Sequence, residues 1–121
     1  SAAFFGCKIT PLDIEEIVYN MPELASEINS FSIITYEDEE VNKKLVLAIE
    51  LLQGKQVPST EKIQQLTYDI FEKLKTINQD YREVTHMIPS GQEPKIEMYS
   101  FGEGPFKIND IRLKKHYIQT R

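Results

Sequence analysis

One stretch constrains the fold more than any other. Between Ser59 and Arg82 the apolar residues fall at Ile63, Leu66, Ile70, Leu74, Ile77 and Tyr81, with spacings of three and four throughout. That period puts them on one stripe of an α-helix running roughly from Thr60 to Tyr81. Ser59 suits the N-cap, and Gly54 and Pro58 punctuate the loop before it. A helix apolar on one side must cover an apolar surface, and the chain supplies one upstream. From Lys43 to Leu51, the residues Leu45, Leu47, Ile49 and Leu51 alternate onto one face. Val46, Ala48 and Glu50 take the other, less apolar face. Ile28 to Tyr36, rich in β-branched and aromatic residues, reads as the hairpin partner. Glu37-Asp38-Glu39-Glu40 reads as its solvated tip, with Lys43 and Lys44 offsetting the like-charge repulsion.

The remaining segments extend this frame. Phe4 to Ile9 reads as a short strand. Thr10 offers a hydroxyl cap, Pro11 suits the first helical position, and Asp13 sits near the positive end of a helix. Ile14, Ile17, Val18 and Met21 follow at helical spacing, and Pro22 limits that helix to about three turns. Pro89, Ser90 and Gly91 make a loop. Lys95 to Phe101 reads as a final strand, with Ile96 and Met98 facing inward. The order is strand–helix–strand–strand–helix–strand. The expected class is α+β, a ferredoxin-like split βαβ with two helices on one face of an antiparallel sheet and a basic C-terminal tail. Such a fold says nothing by itself about activity.

Composition narrows the function classes. A length of 121 residues suits one domain with its own core. Hydrophobic residues at 40% and charged residues at 27% are a globular balance. A net charge of −5 argues against general nucleic-acid binding. One cysteine, Cys7, excludes an internal disulfide, and two distant histidines make no zinc set. No apolar run approaches the ~20 residues of a membrane span. Ser1-Ala2-Ala3-Phe4-Phe5 is too short and uncharged for a signal peptide. The expected location is cytoplasmic, with no membrane partner. His86 reads as a loop histidine, and no Ser-His-Asp or Cys-His arrangement can be argued.

Three motifs remain. The chain opens on Gly6-Cys7-Lys8-Ile9-Thr10-Pro11-Leu12-Asp13-Ile14-Glu15, of the form G-x-x-I-x-P-x-x-I-E. It closes on a glycine loop, Gly102-Glu103-Gly104-Pro105-Phe106, and a basic run, Arg112-Leu113-Lys114-Lys115-His116-Tyr117-Ile118. Asn78-Gln79-Asp80-Tyr81-Arg82, an N-x-D-Y-R, ends the long helix. Each has a structural reading. Gly6 can permit a backbone conformation closed to other residues. The glycine loop lacks P-loop spacing, and Glu103 would repel a phosphate, so it reads as a bend that presents the tail. In N-x-D-Y-R, Tyr81 belongs on the core side and Arg82 near the negative helix end.

Taken in this order, from Gly6 to Ile118, the motifs resemble the small C-terminal domain of adenylate-forming enzymes, above all phenylacetate–CoA ligase and its relatives. That resemblance implies a lid that swings over ATP and carboxylate pockets held by an N-terminal domain of the same polypeptide. It implies ATP, Mg2+ and CoA in the whole enzyme, an aryl or acyl carboxylate as substrate, and an isolated domain that is inactive and holds none of them tightly. It makes Lys114 the adenylation lysine, with Lys115 as the alternative, and places Gly6 beside the pantetheine tunnel. The serine-glycine common before the family lysine is replaced by Arg112-Leu113, and the upstream hinge residue is absent. Two other readings share the pattern. One is a small-molecule-sensing ferredoxin-like regulatory module. The other is the lid of an acyl-amido synthetase, where an amine replaces CoA.

Overall fold

A computed structural model of the chain describes residues 2–107 and 117–120. Its centre is the expected hairpin, β3 (Ile28–Glu37) and β4 (Lys43–Leu51). The two strands are antiparallel, with Ile33 opposite Leu47 and a register shift between Ile28 and Ser30. Asp38 builds the tip: its Oδ1 accepts from the backbone N–H groups of Glu40 and Asn42, each at 2.9 Å. Strands β5 (Lys95–Tyr99) and β6 (Tyr117–Thr120) complete a sheet of order β5-β4-β3-β6.

The helices α1 (Pro11–Val18) and α3 (Thr60–Ile77) pack on one face of this sheet. Leu45, Leu47, Ile49 and Leu51 of β4 meet Ile14, Ile17 and Val18 of α1 and Leu66, Ile70, Phe71 and Leu74 of α3 in one buried cluster. Ile96 and Met98 of β5 join it, as their alternation requires. The fold is α+β and compatible with the ferredoxin-like split βαβ pattern. The central pair is antiparallel, while β4–β5 and β3–β6 are parallel. A helical crossover between β4 and β5 brings the chain back in the same direction, which a tight turn cannot do.

Several details depart from the sequence expectation. The opening strand is a hairpin of its own, β1 (Ala2–Phe4) and β2 (Cys7–Ile9), paired antiparallel through Phe4 and Cys7. A short helix α2 (Pro22–Ala25) follows α1. The long helix stops at Ile77, and Tyr81 lies on a separate helix, α4 (Gln79–Val84). Ile77, assigned to the buried stripe, is 39% exposed. The break comes from Asn78, whose backbone is extended and whose side-chain oxygen accepts from the Tyr81 N–H at 2.9 Å. Asparagine bonds its own neighbourhood in this way and competes with helix continuation.

The second face of the sheet is covered too. Ile34, Val46 and Ala48 are buried there beneath Phe106, with Tyr36 and Tyr99 packed alongside. Phe106 belongs to the glycine loop, so that loop is part of the molecule's second, smaller core.

Candidate functional site

The opening motif is built around a turn. Phe5 and Gly6 join β1 to β2 with φ of 51° and 84°, the paired positive values that a two-residue hairpin of the I′ kind demands. A Cβ at Gly6 would meet nothing within 4 Å, so glycine answers a backbone requirement and not a lack of room. Gly6 is exposed. Beside it, Cys7 is buried and its Sγ donates to the Phe4 carbonyl at 3.0 Å. Burial pushes the Cys7 thiol above its ordinary pKa, which suppresses the reactive thiolate. Thr10 and Asp13 then form a capping box: the Asp13 N–H donates to Thr10 Oγ1 at 3.2 Å, and the Thr10 N–H to Asp13 Oδ2 at 3.3 Å.

The N-x-D-Y-R motif holds this turn in place. Asn78 Nδ2 donates to the Lys8 carbonyl at 2.9 Å and to Asp13 Oδ2 at 3.0 Å. Two motifs 65 residues apart are thus one unit. Tyr81 is buried against Phe71, ring centroids 6.3 Å apart, and burial pushes its hydroxyl up to about 12. Arg82 Nη1 donates to the Lys75 carbonyl at 2.7 Å, at the negative end of α3. The motif is a clasp, with Tyr81 and Arg82 placed as their residue types suggested. The reach of Asn78 back to the opening motif had no local signal in the sequence.

The glycine loop is anchored from below. Glu50 on β4 is fully buried. Its Oε1 accepts from Asn29 Nδ2 and from Ser30 Oγ, each at 2.7 Å. Its Oε2 accepts from the backbone N–H of Gly102 at 2.8 Å. Gly102 and Gly104 have φ of 74° and 57°, and a Cβ on Gly104 would overlap the Tyr99 ring. Phe106 then packs edge-on to Tyr99, centroids 6.1 Å apart. The loop is therefore a seated bend, as its sequence suggested. Glu50 is the residue that sequence reasoning passed over. The available signal was a lone acid in the alternation Val46, Ala48, Glu50, on a face that turned out to be covered.

The basic tail is the remaining constellation. Arg112, Lys114, Lys115 and His116 lie outside the described residues. The fixed points on either side are the glycine loop, ending at Lys107, and β6, which begins three residues after Lys114 and pairs with β3 from Ser32 onward. His86 is exposed in a 3₁₀ turn, Thr85–Met87. Among the described residues, no three His, Cys, Asp or Glu side chains gather closely enough to hold a metal ion, and no helix is long and apolar enough to cross a membrane.

No protein-family profile matches the chain, and no curated protein sequence matches it. Among solved structures, the chain is similar to a domain of phenylacetate-coenzyme A ligase from Bacteroides vulgatus ATCC 8482. The TM-score is 0.58 at 18% identity, over 99% of this chain and 92% of that one. At that identity the likeness is one of fold: the chain has the architecture of a domain from a CoA ligase, reproduced along its full length.

Proposed function

We propose that this chain is the C-terminal lid of an ATP-dependent carboxylate–CoA ligase similar to phenylacetate–CoA ligase. The full-length fold likeness to a domain of such a ligase carries the reading. The order of the opening, clasp and tail motifs supports it. The N-terminal part of the polypeptide would hold ATP with Mg2+ and an aryl or acyl carboxylate. The lid would close over them in two poses.

In the first pose Lys114 meets the phosphates. Adenylation forms a bond between the carboxylate oxygen and the α-phosphorus and breaks the bond to pyrophosphate. Negative charge grows on the departing bridging oxygen and on the α-phosphate. A fixed ammonium there stabilises the transition state more than the ground state. Lysine suits the task as a compact charge on a flexible stem, and Lys115 is the neighbouring candidate. In the second pose the lid turns its Gly6 side to the pocket. The exposed β1–β2 turn, with no side chain at Gly6, would leave a passage for the pantetheine arm while CoA sulfur displaces AMP.

The test uses the whole polypeptide. Pyrophosphate release is measured against a panel of aryl and acyl carboxylates, with CoA and with amines as acceptors. Acid-dependent release followed by thioester formation is the expected result. Amide formation in place of thioester would transfer the lid to an acyl-amido synthetase. No acid-dependent release with any carboxylate would contradict the ligase reading.

A further inference from the structure

Tyr81 is only 4% exposed, yet its hydroxyl has no hydrogen-bond partner among the described residues. A buried tyrosine usually finds one, because an unsatisfied donor away from water costs stability. Packing does not require the hydroxyl here: phenylalanine would present the same ring to Phe71. The clasp does not require it either, since Asn78 takes its hydrogen bond from the Tyr81 backbone. Burial, and after it the neighbouring Cys7 and Glu72, push the hydroxyl up to about 12, so it remains a donor at neutral pH.

Tyr81 also lines a partly open cavity of about 350 Å³ between α3, α4 and the segment that leads into β5. Cavities that hold small molecules begin at about this size. Phe71, Ile88 and Pro94 make its wall largely apolar, and the exposed ring of Tyr68 adds to it. Glu72, Lys75 and Glu93 line it as well, with Lys75 held by Glu72 at 2.8 Å. Two carboxylates against one ammonium leave a negative balance, which disfavours an anion. An apolar wall with aromatic rings, an unused donor and this charge describe one class of ligand.

We propose that this cavity is a binding site for a small uncharged aromatic molecule with a carbonyl acceptor, its ring seated against Phe71, Ile88 and Pro94 and its carbonyl accepting from the Tyr81 hydroxyl. The inference rests on the cavity alone and is independent of the lid reading. A ligase that binds nothing here and a non-ligase that does are separate outcomes.

The experiment titrates the chain with acetanilide, which is uncharged and carries one carbonyl, and with benzoate, an anion of similar size. Binding is followed by proton–nitrogen NMR at pH 7. Acetanilide should shift the signals of residues in the 64–75, 81–88 and 93–94 segments, with a Kd of about 1 mM, as suits a ligand of about ten heavy atoms. Benzoate should bind more weakly. Tyr81→Phe keeps the ring and removes the donor, and should weaken acetanilide about 3–10-fold. Thr67→Phe, which fills the cavity from α3, should abolish the shifts. If Thr67→Phe does not fold, Tyr81→Phe carries the test alone. Unchanged acetanilide affinity in Tyr81→Phe would overturn the proposal, and so would benzoate binding as tightly as acetanilide. Shifts confined to other parts of the chain, or none at about 10 mM acetanilide, would overturn it as well.

Discussion

Tyr81 shows how a single side chain reports on packing. Its hydroxyl is pushed up to about 12 by burial, while an unfolded tyrosine titrates near ~10. Above pH ~10 the unfolded chain releases the proton and the folded chain keeps it, so the unfolded state binds fewer protons. Stability from Tyr81 is therefore fully present below pH ~10 and is lost as pH rises toward about 12. Denaturant melts at pH 9 and pH 11 should show that decline, and Tyr81→Phe should reduce it. An unchanged alkaline decline in the Phe variant would place the titration elsewhere. At this scale the sequence is uneven. Gly6, Tyr81 and Arg82 are placed as their chemistry suggests, because the reasons are local: a positive φ, an aromatic ring at a helix end, a cation near exposed carbonyls. The partner of Glu50 is a backbone amide 52 residues away, which no residue type announces.

Among the elements, α3 and the clasp after it matter most. Ile70 is fully buried at the centre of the α3 stripe. Replacing it by alanine should cost roughly 2–5 kcal/mol, from lost transfer energy and the cavity left behind. A melt unchanged by Ile70→Ala would sink the core assignment. Asn78→Ala should cost about 0.5–2 kcal/mol through loss of the α4 cap. It should also loosen the β1–β2 hairpin, since the Lys8 carbonyl and Asp13 lose their shared donor. Exchange in residues 2–9 should rise in that variant; an unaffected hairpin would mean the clasp does not hold the turn. The strongly periodic elements, α3 and β4, are readable because burial of one face imposes a period. The short ones are not. β1 and β2 have three residues each and are joined by Phe5-Gly6, a pair without the usual Asn-Gly signature. The four residues of β6 follow directly on a basic run. The stripe spacing predicts the end of α3 one turn too late, because Tyr81 continues it across the Asn78 break.

The whole molecule is a two-faced sheet whose first face makes the main core and whose second face seats the glycine loop. The α+β class followed from two periods and an order of elements, since those decide which surfaces must meet. The lid reading rests on the fold likeness to a ligase domain together with the order of the spaced motifs, and the structure adds how two of those motifs are joined and how the glycine loop of the third is seated. On the lid reading, the chain by itself should fold yet bind ATP too weakly for calorimetry to detect; tight binding would make it a nucleotide-binding module in its own right. The central claim is that the tail lysine serves one half-reaction only. Its most direct test is Lys114→Ala in the whole ligase, with pyrophosphate release and thioester formation from supplied acyl-adenylate measured side by side. Adenylation should fall by about 10²–10³-fold, as for removal of one electrostatic stabiliser, while thioester formation is spared. Full-rate adenylation in both Lys114→Ala and Lys115→Ala, or equal loss of both half-reactions, would contradict a lid that delivers its charge to the phosphates.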